Sequence, residues 1–153
     1  MARRWGPVPI ATYLETVHDM LVAQMPARLV TAGLPAVTTW TYHGVLFDSD
    51  DQLPLVCIDA KWRHRAKGGG GSFEPLYSTE IICAFPYVGN GDGYKDGAGM
   101  ASIVEALMYY NIGNGYEDVV ESTGMGMAAG QEDGPQWQGG VWRGDVVGGL
   151  LYF

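Results

Sequence analysis

The stretch of this chain best suited to chemistry is Asp59-Ala60-Lys61. Paired carboxylates hold Mg²⁺ through oxygen ligands, and a lysine two residues beyond one of them steadies an attacking water. Asp48 and Asp51 lie shortly upstream and would supply the further carboxylates. The same residues also have a plainer use. Side chains alternate along a strand, so Asp59 and Lys61 share one face and become solvent-side charges opposite Glu80 in a hairpin. The plainer use is favoured, because a net charge of −8 leaves no basic body for gripping a polyanion.

Other candidate groups are weaker. His18, His43 and His64 fall in three different elements, with no His or Cys partner at ligand spacing. Cys57 and Cys83 sit mid-strand among apolar residues. Buried reduced thiols are expected, with a cross-hairpin disulfide as the alternative. The glycines from Gly89 to Gly99 lack both the Gly-Lys-Ser/Thr ending of a phosphate loop and the spacing of a dinucleotide turn. Trp40, Tyr42, Trp62, Trp137 and Trp142 lie on strands and suit a core or an interface. No metal site, cofactor or catalytic residue is therefore expected.

Charge is segregated along the chain. Lys61, Arg63, Arg65 and Lys67 cluster together, whereas residues 68–153 carry only Lys95 and Arg143 as cations against eleven acids. An acidic body with one basic projection suits docking onto an acidic surface, including another copy of the chain. Lys61, Arg63, Arg65, Lys67 and Gly68, Gly69, Gly70 and Gly71 are the candidate interface residues. A solvated loop kept soluble by its charge is the alternative.

The elements that position these groups form one domain of 153 residues with a normal apolar fraction of 47%. No apolar run approaches a membrane span, and the N-terminus does not read as a signal peptide. Residues 1–9 read as an extended arm. Thr12 and Glu15 fit a capping box, so a helix is expected from about Tyr13, with a stripe of Ile10, Leu14, Val17, Leu21 and Met25. Pro26 is expected to end or kink it, or to begin a second piece stopped at Gly33. Ala36 to Val45 reads as a strand, and Asp48 to Asp51 as a turn.

The centre is a hairpin. Leu53 to Trp62 places Val56, Ile58, Ala60 and Trp62 on one face, and Glu74 to Tyr87 places Tyr77, Thr79, Ile81, Cys83 and Phe85 likewise. Residues 63–72 are its expected flexible, basic, glycine-rich tip. After a loop at Gly89–Gly93, Asp96 is the expected N-cap of a second helix burying Met100, Ile103, Val104, Leu107 and Met108, ended at Asn111, Gly113 and Gly115. Val119 to Met127 reads as a strand and Gly130 to Pro135 as a turn. Trp137 to Phe153 is the last strand region, broken at Gly139-Gly140 and Gly148-Gly149. The expected fold is α+β: a mixed, mainly antiparallel sheet with two helices packed on it, in the order helix, three strands, helix, one or two strands.

Three segments carry a family likeness. They are Leu53-Pro54-Leu55-Val56-Cys57-Ile58, the returning Ser78-Thr79-Glu80-Ile81-Ile82-Cys83-Ala84-Phe85, and Trp137 and Trp142 followed by Asp145 to Phe153. With the two helices in place, the chain resembles over nearly its whole length the tail-terminator proteins of long-tailed bacteriophages, the family of the phage lambda tail terminator. It departs from them in its Gly68–Gly71 tip. The resemblance implies a virion protein of the tail or neck, made in the host cytoplasm. Such a protein forms a hexameric ring that caps the tail tube, ends its polymerisation and joins it to the head connector. Its partners would be its own copies, the tail tube protein and a neck protein, with no membrane and no sequence-specific nucleic acid. Another neck, head-completion or tail-tube-like subunit is a second structural possibility. Asp59-Ala60-Lys61 also resembles the signature of the Mg-dependent Asp/Glu-x-Lys nucleases, with Asp48 or Asp51 as further ligands.

Overall fold

The first helix, α1 (Ile10–Ala32), shows how burial overrides local signals. The computed structural model describes residues 9–42, 52–66, 73–86, 92–112, 116–127 and 136–147. Within them α1 buries Tyr13, Val17, Leu21, Met25 and Leu29, one residue every four, with Ile10 and Leu14 packed at the edge of the same cluster. It begins earlier than the capping box suggests. Pro9 is the N-cap, its carbonyl accepts the Tyr13 amide at 3.1 Å, and no side chain caps the helix. Thr12 lies inside, with its carbonyl accepting the Thr16 hydroxyl at 2.7 Å.

Pro26 neither ends nor divides the helix. It lies on the exposed side, where the Val22 carbonyl it leaves without an amide can turn to water. On the inner side Met25 and Leu29 are fully buried, each worth roughly 1.5–3 kcal/mol, enough to offset a cost of about 3 kcal/mol for the proline. The real stop is Gly33, at φ 71°. Its amide bonds Val30 at 3.1 Å and the Leu34 amide bonds Leu29 at 2.9 Å, a left-handed closure that favours glycine.

Strands β1 (Thr39–Tyr42), β2 (Leu55–Ala66) and β3 (Phe73–Pro86) follow, then α2 (Asp92–Ile112), β4 (Tyr116–Met127) and β5 (Gln136–Val147). They build one five-stranded mixed sheet in the order β1-β2-β3-β5-β4. Only β1 with β2 is parallel; every other pair is antiparallel. This is the expected α+β architecture with its additional final strand. β1 is shorter than the stretch Ala36 to Val45, of which residues 43–45 lie outside the described residues. So do the 1–8 arm, the turns at 48–51 and 130–135, and residues 67–72 and 148–153.

Both helices lie on one face of the sheet. Val56, Ile58, Ala60, Tyr77, Ile81, Cys83, Phe85, Trp142 and Val146 form the sheet side of the core, as alternation predicts for the two hairpin arms. Tyr13 of α1 stacks on Tyr77 at 4.1 Å, and Trp62 meets Tyr77 edge-on at 4.9 Å. The Tyr13 hydroxyl lies 2.7 Å from Thr79 Oγ1, which itself donates to the Tyr77 carbonyl at 3.1 Å. Gln24 of α1 and Asn111 of α2 exchange two amide hydrogen bonds, of 2.9 and 3.1 Å.

Two glycine readings are corrected. α2 starts at Asp92, so Asp96 lies within it and is not its cap, and Asp92 and Gly93 belong to helix rather than loop. β5 runs unbroken through Gly139 and Gly140. The second has a packing cause. A Cβ at Gly97 would strike the Gly139 Cα and the Gly140 nitrogen, and a Cβ at Gly140 would strike the Gly97 carbonyl. The helix therefore rests on the strand backbone to backbone, which only glycine permits. On the buried side of α2 stand Met100, Ala101, Val104, Leu107 and Met108, with Ile103 partly buried.

Candidate interaction surface

Among the described residues no helix covers the opposite face of the sheet, and alternation sends the charges of the hairpin there. Asp59 faces Glu80 across β2 and β3, and Glu80 faces Arg143 across β3 and β5. Arg143 Nε donates to Glu80 Oε2 at 2.7 Å. One pleat along, Lys61 faces Ser78, and Ser78 faces Asp145. Arg63 reaches diagonally over β3 to donate to the Asp145 carboxylate, which is mostly buried beneath it. These are cross-strand pairs, each worth roughly 0.2–1 kcal/mol at such partly exposed positions. Toward the other end the same face becomes apolar: Leu53, Leu55 and Ala84 are buried together, with Cys57, Ile82 and Trp137 packed around them.

The hairpin is longer than its sequence suggests. β2 continues through Ala66, with Arg63 opposite Leu76, His64 opposite Pro75 and Arg65 opposite Glu74. Arg63 to Ala66 are thus strand rather than tip. Lys61 and Arg63 belong to the charged face, and Arg63 is engaged within its own chain. Lys67 and Gly68 to Gly71 lie outside the described residues, as do Asp48 and Asp51, so the carboxylate set of the nuclease reading cannot be assembled from the described residues.

The two cysteines are free. Cys57 is opposite Ile82 and Cys83 is opposite Val56, so the two thiols point to different faces of the sheet. Burial pushes the Cys57 thiol up to about 11, with the Asp59 and Glu80 carboxylates adding to it, and burial alone pushes Cys83 up to about 12. Both are therefore poor nucleophiles. His18 stacks on Tyr42 at 5.4 Å and lies 3.0 Å from the Asp19 carboxylate. Burial, then Asp19 and Glu15, raise the Tyr42 hydroxyl. Among the described residues no group of three or more His, Cys, Asp or Glu is placed to hold a metal ion. No described helix is long and apolar enough to cross a membrane.

The Arg143–Glu80 and Arg63–Asp145 pairs could not be read from the sequence, because they depend on β5 entering the sheet beside β3. What the surface can do is offer alternating charge beside an apolar patch and a basic two-stranded arm. No protein-family model matches the chain, and no curated protein matches it.

Proposed function

We propose that the chain is a structural protein of a long-tailed phage virion, a tail terminator. It forms a ring that caps the tail tube, ends its growth and presents a surface to the head connector. The observation that carries this reading is the reach of the β2–β3 hairpin. β1 pairs with β2 only from Leu55 to Ile58, and the register of β5 with β3 stops at Leu76. Among the described residues, His64–Ala66 and Phe73–Pro75 therefore pair only with each other, at the outer end of the hairpin. A hairpin end whose sequence carries Arg65, with Arg63 at its base, on a chain of net charge −8, suits contact with an acidic neighbour in a repeating assembly. The α+β element order supports the same reading, and the charged face, which no described helix covers, is a surface on which a ring subunit can meet its partners.

The role is assembly rather than catalysis, in the virion, with tail tube and neck proteins as partners. The test is electron microscopy of the purified protein, alone and added to polymerising cognate tail tubes. Closed rings, seated on tube ends whose growth has stopped, are expected. Monomers at every concentration, together with tubes that elongate unchanged, would refute the proposal.

A further inference from the structure

α1 changes character halfway along. Its first half exposes Glu15 and Asp19, as the outer face of a surface helix should. From Met20 to Gly33 the only charged residue is Arg28. Val22, Ala23, Pro26, Ala27 and Val30 are nevertheless all exposed, Val30 to 80%. Leu21, Met25 and Leu29 already face the core, so this half of the helix is apolar on its inner and its outer side alike. A helix apolar all round is normally a buried one. The Gln24–Asn111 hydrogen bonds bring the last turn of α2 alongside, where Tyr110 is 81% exposed. Among the described residues the exposed large apolar side chains are Val22, Val30, Tyr109 and Tyr110, so all of them lie on the two helices. The Val22 carbonyl, left without its helix amide by Pro26, is an open acceptor beside them.

We infer that the outer face of α1 from Val22 to Val30 is covered by a second copy of this chain. Charge selects that occupant. A basic partner is recognised by carboxylates, and this half of α1 has none. Two copies of a chain of net charge −8 repel each other wherever acids meet, and they approach at least cost through a surface without acids. Ala23 and Ala27 leave room for close approach, since the side chains at a helix contact set how near the partner comes. Burial of Val30 and Tyr110 supplies the adhesion, and a donor of the second copy can take the place of water on the Val22 carbonyl. The inference rests on the ring assembly proposed above and names a surface through which its copies meet.

The experiment uses the full chain. Val30→Glu places a charge in the face, and Ala11→Glu, at the exposed start of the same helix, adds the same charge outside it. Glutamate is a good helix former, so both variants should fold, which thermal melts check. In analytical ultracentrifugation Val30→Glu should weaken self-association about tenfold or more, and Ala11→Glu should change it by no more than about twofold. A Val30→Cys form supplies a second readout. The thiols of Cys57 and Cys83 are pushed up to about 11 and about 12, so a thiol reagent at pH 8 reports on residue 30. Its labelling should be fast in the dilute subunit and about tenfold slower or more in the assembly. Rings in which residue 30 still labels fast, or a Val30→Glu chain that associates like Ala11→Glu, would overturn the inference and leave the ring proposal standing. Labelling that slows only once tail tubes are added would assign the face to the tube and overturn the inference too. A wild-type chain that never self-associates would overturn both.

Discussion

Adding one methyl group at Gly97 tests whether α2 truly rests on the backbone of β5. In an exposed helix interior, Gly→Ala gains about 1 kcal/mol. At Gly97 the new Cβ meets the Gly139 Cα and the Gly140 nitrogen, atoms that cannot rotate aside. Over-packing costs about 1–3 kcal/mol where side chains can yield, and backbone against backbone places this contact at the upper end or beyond. Less the helix gain, Gly97→Ala should lose about 2 kcal/mol or more, lowering Tm by roughly 4–8 °C for a chain of this size. Gly99, two residues along the same helix, is the control. A Cβ there lies 3.3 Å from Leu34 Cδ1, the end of a side chain that can shift, so Gly99→Ala should raise Tm by about 2–4 °C. Urea and thermal unfolding by circular dichroism measure both. If Gly97→Ala is as stable as Gly99→Ala, the seam between α2 and β5 is looser than described and the argument for its glycines fails.

The cysteines and the α1 contact supply two further predictions. Cys83 is buried and its thiol is pushed up to about 12, so native protein should resist thiol reagents at pH 8 at that position and react fully once unfolded, as alkylation with mass spectrometry would show. Because the folded thiol holds its proton above the ordinary value near 9, the stability this confers is complete below pH 9 and is lost as pH rises toward 12. Urea midpoints at pH 8 and pH 10.5 should fall in that order, and Cys83→Ala should reduce the difference. Tyr13→Phe removes the hydroxyl that meets Thr79 at 2.7 Å while Thr79 keeps its bond to the Tyr77 carbonyl. A loss of about 0.5–1.5 kcal/mol in urea unfolding is expected, and a stabilised variant would show that the bond contributes nothing.

Sequence pattern revealed the parts of the fold that depend on a local period. Val56, Ile58 and Ala60 share a buried face because a strand alternates, and Val17, Leu21 and Met25 share one because a helix repeats. What stayed hidden depends on contacts distant in the chain. Pro26 is a helix breaker by local rule, and only the burial of Met25 and Leu29 keeps α1 continuous. Gly139-Gly140 resembles a break until Gly97 is brought against it. Thr12 and Asp96 look like caps, but the helices begin earlier, where Ile10 joins the core and where Gly93 is buried. On the candidate surface, Asp59, Lys61 and Glu80 were legible as one charged face. The engagement of Arg63 by Asp145 was not, since it joins residues that only the sheet order brings together.

That sheet order also sets a schedule for synthesis. β3 pairs with β5, yet α2 and β4 lie between them in the chain. A ribosome adding roughly 5–20 residues per second needs several seconds to pass from Pro86 to the end of β5. Throughout that interval the β3 edge, with its run Ile81-Ile82-Cys83-Ala84-Phe85, lacks the strand that will cover it. Nascent chains crowded on one message therefore present matching apolar edges to one another before any of them can close. Yield of soluble protein should fall with faster expression and recover with holding chaperones, even though the finished fold keeps β3 at the centre of its sheet.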